Sequence, residues 1–433
     1  MKAPLWGVKK SGTRPGRCDS AALLLGRTAA RVLRIQFVVY STEHSPELKA
    51  RDQDVIYLDN NSTTRTDDAV IAAMQPYWQN EYGNPSSLHL LGQSARHAVE
   101  RAREQVAAFV GARPRDIVFT SGGTEADNLA ILGAIDANTA RRRIVTTGVE
   151  HVAVFSLCEA LAKRGHPVTF VSVDSDGRLD LEKFADALTP DTSVAAVMHA
   201  NNETGVLFPI EDCARIAADK GVPLHVDAVQ SAGKVPVNVG SWPVTTLAIS
   251  AHKFHGPKGA GALYVSPRAK LRNQLVGGHQ ERDLRPGTEN TPAIIGMGLA
   301  AELAMQSAIE GWDSVATLRD GFEREICRRV NFARVIGGAQ PRIANTTNIA
   351  FVGLEAEAIL IGLSQRGVCA SSGSACSSGS LEPSHVLRAM GLDPDIAKGA
   401  IRFSLSKLTT EEEIDEALEI VTQVVTRLKG MSD

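Results

Sequence analysis

The chain has 433 residues, of which 43% are hydrophobic and 22% charged, and its formal net charge is −3. This length can fill more than one domain, and the nearly balanced charge argues against nucleic acid or an anionic membrane as the main partner. No apolar run approaches the roughly 20 residues that a membrane-spanning helix needs, so we expect a soluble protein with no membrane partner.

The beginning of the chain differs from the rest. Residues 1–35 are rich in lysine and arginine and contain a single acidic residue, Asp19. Such a composition is typical of an organellar transit peptide, but a disordered extension or a start codon placed too far upstream accounts for it as well, and we favour these. We therefore interpret residues 1–53 as a disordered N-terminal extension. The six cysteines are scattered without a CxxC pair, which favours reduced thiols and a cytoplasmic location, with an organellar destination left open.

From Val55 onward, short β-branched runs alternate with amphipathic patterns. Ser94 is predicted to cap a helix that ends at Gly111. The predicted strands are Asp116–Thr120, Ile144–Thr147, Val168–Val173, Val194–Met198, Leu224–Val226, Leu247–Ser250 and Ala262–Val265. The predicted helices between them are Glu125–Leu132, Val152–Lys163, Leu181–Leu188 and Ile210–Lys220. This alternation predicts βαβ units, and hence an α/β fold with a mainly parallel sheet.

The pattern changes after about residue 310. A long helix, a strand over Thr347–Phe351, a helix near Glu355–Gln365 and a final helix from Thr410 predict an α+β unit. We therefore expect a large domain over 67–310, and a smaller α+β domain made of 54–66 and 311–433.

Two groups of residues after predicted strands suit an anionic, aromatic cofactor. Ser121-Gly122-Gly123-Thr124 stands at a strand-to-helix junction, where backbone N–H groups and the helix dipole favour a phosphate, although most such turns bind nothing. Asp227 follows another strand and could pair with a protonated ring nitrogen, with Gln230 donating a hydrogen bond nearby. Taken alone, Asp227 is better explained as a helix cap.

Two further groups supply reactive side chains. Lys253 lies in Ser250-Ala251-His252-Lys253, beside a strand end, where its amine can attach an aldehyde cofactor and Ser250 and His252 can bind a phosphate. His151 also follows a strand and could stack on a flat ring and transfer protons. An isolated lysine is usually a solvated charge, and a loop histidine is as often structural as functional.

The order of these groups along the chain is much more specific than any one of them. It resembles the active-site order of fold-type I pyridoxal-phosphate (PLP) enzymes and, within them, that of the cysteine desulfurases of the class-V aminotransferase family, the nitrogen-fixation type above all. The resembling motifs run from residue 54 to the C-terminus and are Tyr57–Thr64, Gly83–His89, Thr120–Glu125, Asn201–Gly205, Ser250–Gly259, Gly277–Arg282 and Arg285–Asn290.

The resemblance implies a residue-by-residue PLP site with Lys253 as the attachment point. It implies Gly123, Thr124, Ser250 and His252 as phosphate ligands, together with Thr288 from the partner subunit of a homodimer. Asp227 would keep the ring nitrogen protonated, Gln230 and Asn202 would bond the ring oxygen, and His151 would stack on the ring.

Cys376 lies in a segment of serine and glycine, Ser371–Ser380, which is typical of a mobile loop. An exposed thiol suits a nucleophile that travels between substrate and acceptor better than a structural role, although an incidental loop cysteine is the simpler interpretation. A metal site shared with Cys369 matches no closed zinc pattern, and Cys369 is expected to be buried at a strand. The resemblance makes Cys376 the persulfide-forming cysteine, and a transient ligand of an iron–sulfur cluster through that persulfide.

The resemblance implies that Arg402 and Asn202 bind the carboxylate of the substrate. A guanidinium suits this role because it meets a carboxylate with two parallel hydrogen bonds, although Arg402 without the surrounding motif is better explained by a surface salt bridge. The implied reaction converts L-cysteine to L-alanine and passes sulfur to an iron–sulfur scaffold or other acceptor protein. The chain ends soon after the helix begun by Thr409–Glu413, which favours the nitrogen-fixation type and nitrogenase maturation. The alternatives are a housekeeping desulfurase, a selenocysteine lyase, an aminotransferase, or a non-catalytic sulfur carrier.

Overall fold

A computed structural model describes residues 55–373 and 384–432 of the chain. These residues belong to one compact unit, Asp52–Asp433. The N-terminal extension and Cys376, both singled out in the sequence, lie outside the described residues.

The centre of the fold is a seven-stranded sheet with strand order β2-β8-β7-β6-β5-β3-β4. Six of these strands run in the same direction, and β8 runs in the opposite direction between β2 and β7. The prediction of an α/β fold with a mainly parallel sheet is therefore confirmed. Its strands are β2 (Ile117–Thr120), β3 (Arg143–Thr147), β4 (Val168–Val171), β5 (Thr192–Met198), β6 (Leu224–Asp227), β7 (Thr246–Ser250) and β8 (Gly261–Val265).

Most residues of this sheet are buried, which is expected where helices cover both faces of a parallel sheet. The register pairs Met198 with Asp227 and Asp227 with Ala248, so neighbouring strands end at the same edge. Residues that follow β2, β3, β5, β6 and β7 consequently gather at one edge of the sheet, which is where open α/β sheets place their ligands.

The helices of the described residues largely follow the predicted pattern. They are α1 (Asp68–Met74), α2 (Pro76–Gln79), α3 (Leu90–Val110), α4 (Gly123–Ala137), α5 (Val152–Lys163), α6 (Leu181–Ala187), α7 (Ile210–Asp219), α8 (Thr291–Glu310), α9 (Asp313–Arg329), α10 (Ala356–Ser364), α11 (His385–Ala389), α12 (Pro394–Ala397) and α13 (Glu411–Ser432). Short 3₁₀ turns occupy Pro114–Asp116, Ala251–Lys253 and Gln280–Asp283.

Helix α3 corrects one prediction. It begins at Leu90 and is capped by the His89 side chain, whose Nδ1 accepts from Gly92 at 3.2 Å, so Ser94 lies inside the helix. The predicted end at Gly111 is confirmed, because this residue adopts φ +70°. The imidazole cap was missed because serine is the commoner capping residue.

The remaining strands form two small sheets. β9 (Ala333–Ile336), β10 (Thr346–Phe351) and β12 (Ala400–Ser404) pair antiparallel in the order β12-β10-β9. β1 (Ile56–Tyr57) pairs with β11 (Val368–Cys369) in parallel, which brings the start of the described chain against the segment that precedes Cys376. Cys369 lies in a strand, as predicted, but it is half-buried rather than buried.

Two large apolar cores support these sheets. One lies between the seven-stranded sheet and its helices and is built mostly from residues between Val70 and Ala304. The other joins β1 to residues from Val315 to Val425 around the three-stranded sheet. The division into domains at 67–310 stays a prediction, and the first core also contains residues beyond 310, among them Ile336, Ala350 and Val386. No helix among the described residues is long and apolar enough to cross a membrane.

Candidate active site

Lys253 lies directly after β7, in the short turn Ala251–Lys253. Its Nζ donates to the backbone oxygens of Asn61, at 2.5 Å, and Ser62, at 2.8 Å. The turn Asp59–Ser62 is itself held by β12, because the Asn60 side chain donates to Ser404 O at 2.9 Å. The predicted attachment lysine is therefore half-buried at the sheet edge and held against the start of the described chain.

Asp227 ends β6, the strand next to that of Lys253, and is 5% exposed. Its Oδ1 accepts from the backbone N–H of Val229 at 2.9 Å. Burial and the neighbouring Asp127 raise the pKa of Asp227 to about 7, and the positive charge of Lys253 opposes the rise. A buried carboxyl of this kind ionises fully only beside a cation, which is what a protonated ring nitrogen supplies.

Gln230 and Asn202 both contact Asn61, in the turn that holds Lys253. Gln230 Nε2 donates to Asn61 O at 2.8 Å. The backbone oxygen of Asn202 accepts from Asn61 Nδ2 at 3.2 Å, while its side-chain Oδ1 is buried without a partner among the described residues. A buried amide oxygen without a partner is costly, so Asn202 suits a ligand that donates a hydrogen bond.

The Gly122–Gly123 turn joins β2 to the start of α4, and no side chain caps this helix. A Cβ at Gly123 would lie 2.7 Å from the Val229 side chain and 3.9 Å from Ser250, so only glycine leaves this space open. Thr124 is exposed and Ser250 is 2% exposed. Backbone N–H groups at an uncapped helix start, with a hydroxyl nearby, form an anion cradle.

His151 caps α5, its Nδ1 accepting from the backbone N–H of Ala153 at 3.2 Å. Burial, followed by the charges of Lys253, His385 and Arg402, lowers the pKa of His151 to about 4. The ring is therefore neutral near pH 7, and the cap places its proton on Nε2. His151 thus presents an N–H donor to the site, a state that the sequence did not indicate.

His252 contacts the same N-terminal segment as Lys253, since its Nδ1 lies 3.2 Å from Thr63 Oγ1. Burial and the charges of Lys253, Lys258 and Lys234 lower the pKa of His252 to about 4. Two neutral imidazoles therefore accompany the lysine.

Arg402 extends from β12 and is 2% exposed. Its Nη1 donates to Asn202 O at 2.8 Å, and its Nη2 donates to Asp59 Oδ1 at 2.6 Å and to Ser62 Oγ at 2.8 Å. Its Nε is buried without a partner among the described residues. The structure thus brings Arg402 to the turn that holds Lys253.

Two predicted residues do not join this cluster. Cys376 lies outside the described residues, so its distance from Lys253 stays open. Thr288 is exposed on a loop in which Gly277 packs against Pro286, and its predicted role requires a second subunit.

Several residues of the site were not assigned a role from the sequence. Asp59, Asn61 and Ser62 belong to the Tyr57–Thr64 motif, which carried the resemblance but indicated no chemistry. Lys234 and Glu203 are almost fully buried, at 6% and 2% exposed. A charged residue inside an otherwise apolar or small-residue stretch is the signal that could have identified both.

The residues present fit PLP. The cradle at Gly122–Gly123 suits its phosphate, Asp227 suits its ring nitrogen, and Lys253 lies between them at the same sheet edge. The unpartnered amide of Asn202 offers a further contact, to the ring. Among residues 55–373 and 384–432, no three metal-binding side chains cluster into a site for an ion.

Comparisons with known proteins identify the family. The profile of class-V aminotransferases matches residues 56–417. Curated relatives include a cysteine desulfurase of Nostoc sp., 50% identical over 87% of this chain and 94% of that protein. The cysteine desulfurase NifS of Azotobacter vinelandii is also 50% identical, with the same coverage.

Solved structures agree with the sequence relatives. A NifS-like protein superposes with a TM-score of 0.80 at 37% identity, covering 86% of this chain and all of that one. SspA in complex with cysteine superposes with a TM-score of 0.70 at 33% identity, over 81% of this chain and 98% of that one. The chain belongs to the class-V aminotransferase family, with the fold of type I PLP enzymes and PLP as its cofactor. The family, fold and cofactor predicted from the motifs are confirmed.

Proposed function

We propose that this chain is a PLP-dependent cysteine desulfurase, which converts L-cysteine to L-alanine and retains the sulfur as a persulfide on Cys376. One observation carries the proposal: Ser62 accepts from Lys253 Nζ through its backbone oxygen and from Arg402 through its hydroxyl. An amine that holds the cofactor and a guanidinium that binds carboxylates are thereby spaced for an α-amino acid. The curated relatives named cysteine desulfurase, and the solved relative with bound cysteine, support L-cysteine as that amino acid.

The cofactor would be attached to Lys253, with its phosphate at Gly123, Thr124, Ser250 and His252. Asp227 would contact the ring nitrogen, Gln230 and Asn202 the ring oxygen, and His151 the ring face. When bound, PLP supplies an electron sink that stabilises negative charge at the substrate Cα. The remaining roles, which are to orient the substrate and to move its protons, belong to side chains of the protein.

Arg402 orients the substrate by binding its carboxylate, and Asn202 lies beside it. The Lys253 amine, when not attached to the cofactor, would remove the Cα proton of the substrate. His151, neutral with its proton on Nε2, holds a proton that it can donate at the same edge.

Sulfur transfer requires the Cys376 thiolate. Its sulfur attacks the substrate sulfur, the S–S bond forms, and the C–S bond breaks with its electron pair left on the substrate carbon. Protonation of that carbon, and return of a proton from the Lys253 ammonium to Cα, complete L-alanine. The persulfide is then open to a thiol of an acceptor, which regenerates Cys376.

A homodimer is part of this proposal. Leu88, Leu90 and Val276 are 86%, 84% and 97% exposed, which is unusual for large apolar side chains. A cavity of about 560 Å³ is lined by Pro85 and Ser86 and also by residues between His279 and Glu289. Leu88 and Leu90 closely follow the first pair in sequence, and Val276 closely precedes the second group. The three apolar side chains therefore flank one region of the surface. Thr288 lies in the same loop. A second copy covering this region would shield the apolar side chains and could bring its own Thr288 to the phosphate cradle.

The sulfur acceptor is proposed to be an iron–sulfur scaffold that serves nitrogenase maturation, with Cys376 binding a cluster transiently through its persulfide. The NifS relative of A. vinelandii supports this destination over a housekeeping role. We also propose a cytoplasmic location.

The test is to incubate the purified protein with PLP, L-cysteine and a thiol reductant and to quantify alanine and sulfide. Equal amounts of both, with no alanine from Cys376→Ala, are expected. Absence of alanine would overturn the proposal. A much higher rate with L-selenocysteine would favour a selenocysteine lyase. Capture of an acceptor on the persulfide form, followed by identification of that acceptor, tests the destination of the sulfur.

A further inference from the structure

Lys234 is a buried lysine with no role in the mechanism above. It lies four residues after Gln230 and is 6% exposed. Its Nζ donates to Gln230 O at 2.9 Å and to Gln230 Oε1 at 3.1 Å. Both of its hydrogen bonds within the described residues therefore go to one residue of the cofactor site.

The chemistry of the ammonium group dictates how the Gln230 amide is turned. An ammonium carries three donors and no acceptor, so it can face only the oxygen of an amide. With Oε1 turned to Lys234, Nε2 must point the opposite way, and it donates to Asn61 O at 2.8 Å. Asn61 O is also the acceptor of Lys253 Nζ. One chain of contacts thus runs from Lys234 through Gln230 and Asn61 to Lys253.

The surroundings of Lys234 act against its charge, whereas its two hydrogen bonds to oxygens of Gln230 favour the charge. Burial, and then the charges of Lys253 and Arg402, lower its pKa to about 7. A small cavity of about 20 Å³, large enough for one water molecule, borders Lys234, Lys253, His255 and Lys407.

We propose that Lys234 is a positioning residue that locks the side-chain amide of Gln230 with its N–H groups toward Lys253 and the ring of the bound cofactor. The inference rests on the proposed function only in taking PLP as the cofactor. An amide without this constraint has two orientations, one of which turns an oxygen toward Asn61 O and the electron-rich ring oxygen. Lys234 disfavours that orientation because its protonated amine, which donates to Gln230 O and Oε1, cannot accept a hydrogen bond.

The test compares Lys234→Met, which has similar length and no donor, with Lys234→Arg, which keeps a donor-only group. The measurements are the dissociation constant of PLP, the pH dependence of the visible absorption of the bound cofactor, and the melting temperature. Lys234→Met should weaken PLP binding by about tenfold, the loss expected for one well-oriented hydrogen bond to a charged group, and shift the absorption profile. Lys234→Arg should retain most of the affinity.

A double-mutant cycle with Gln230→Ala separates positioning from a purely structural role. If Lys234 acts through Gln230, Lys234→Met should add nothing to PLP binding in the Gln230→Ala background. An equal loss in both backgrounds, or a lower melting temperature with unchanged PLP binding, overturns the inference. If Lys234→Met does not fold, Lys234→Gln replaces it, since a glutamine both donates and accepts and cannot impose the orientation.

The outcome is independent of desulfuration. Wild-type protein that binds PLP but makes no alanine overturns the proposed function and leaves this inference standing. Wild-type protein that does not bind PLP overturns both.

Discussion

Asp59 Oδ1 accepts a hydrogen bond from Arg402 Nη2 at 2.6 Å, so the arginine expected to bind the substrate carboxylate is already paired with a carboxylate of the chain. The second proton of Nη2 goes to Ser62 Oγ. A carboxylate can form two parallel hydrogen bonds with an arginine along either of two edges, Nη1–Nη2 or Nε–Nη2. Both edges include Nη2. A substrate bound in this way must therefore displace Asp59 or Ser62.

The first prediction follows from this competition. Asp59→Asn keeps an oxygen that can accept from Arg402 but removes the competing charge. The KM for L-cysteine should therefore fall roughly fivefold. This corresponds to about 1 kcal/mol, the size expected for a partly exposed ion pair. Steady-state kinetics at constant ionic strength measure this. Ser62→Ala, which removes a neutral partner, should have a smaller effect. A higher KM in Asp59→Asn would show instead that Asp59 orients the arginine.

The second prediction concerns cofactor attachment. Lys253→Ala should retain the fold, because the lysine contributes to no apolar core, but should lose the visible absorbance of covalently held PLP. Absorption spectra after reconstitution measure this, and borohydride treatment of wild type followed by peptide mapping should find PLP fixed at Lys253. A normal spectrum in the variant would refute the assignment.

The third prediction compares Cys376 with another cysteine, Cys327. Cys376→Ala should bind PLP and L-cysteine but form no alanine. Cys327→Ala is the matched control, because Cys327 is an exposed thiol on α9 that belongs to none of the residues predicted for the active site. This control should desulfurate at the wild-type rate. Equal rates in all three proteins would favour direct elimination without a persulfide.

The fourth prediction concerns the chain just before the segment that carries Cys376. Gly373 has φ +80°, and a Cβ there would lie 2.9 Å from Glu203 Oε2, so Gly373→Ala should shift this anchor. Misplacing a reactive group in this way costs on the order of tenfold to a hundredfold in kcat. Gly391→Ala is the control, with φ +73° and no atom within 4 Å of the added Cβ. The control should lose only about 1–2 kcal/mol of stability, the cost of the left-handed conformation.

If the two glycine variants lose the same stability and neither loses activity, Gly373 does not position the cysteine segment. Chemical denaturation and alanine production, measured on the same preparations, decide between these outcomes.

The fifth prediction is a pH dependence of stability. Burial lowers the pKa of His199 to about 4 from 6.5, and its Nδ1 has no partner among the described residues. Between these two values the unfolded chain binds a proton at this histidine that the folded chain does not, so His199 makes the free energy of unfolding fall as pH is lowered from 6.5 toward 4. The slope from one such group is about 1.4 kcal/mol per pH unit.

Buried carboxyls have the opposite effect in part of this range, since burial raises the pKa of Glu150 to about 8 and of Glu203 to about 7. The total slope is therefore not diagnostic of His199, but a difference between variants is. Denaturant melts of wild type and His199→Gln from pH 4.5 to 7 should show a shallower acid-side slope in the variant. Parallel profiles would mean that His199 titrates normally in the folded chain.

The sequence by itself determined the alternation of strands and helices, the helix Val152–Lys163 to the residue, and the family, and it predicted Lys253 as the cofactor lysine. These features depend on local patterns: apolar periodicity, turn residues after strands, and motifs of a few neighbouring residues. Parallel strands then carry Asp227 and Lys253 to one edge without further information, because their carboxyl ends coincide.

The tertiary structure alone decided the contacts that tune those residues. Arg402 and Asp59 are 343 residues apart in sequence, and nothing in either neighbourhood predicts their ion pair. Likewise, the orientation of the Gln230 amide depends on which atoms surround it after folding. Periodicity reports only which face of an element is buried, whereas the direction of a hydrogen bond is set by the packing of side chains from distant parts of the chain.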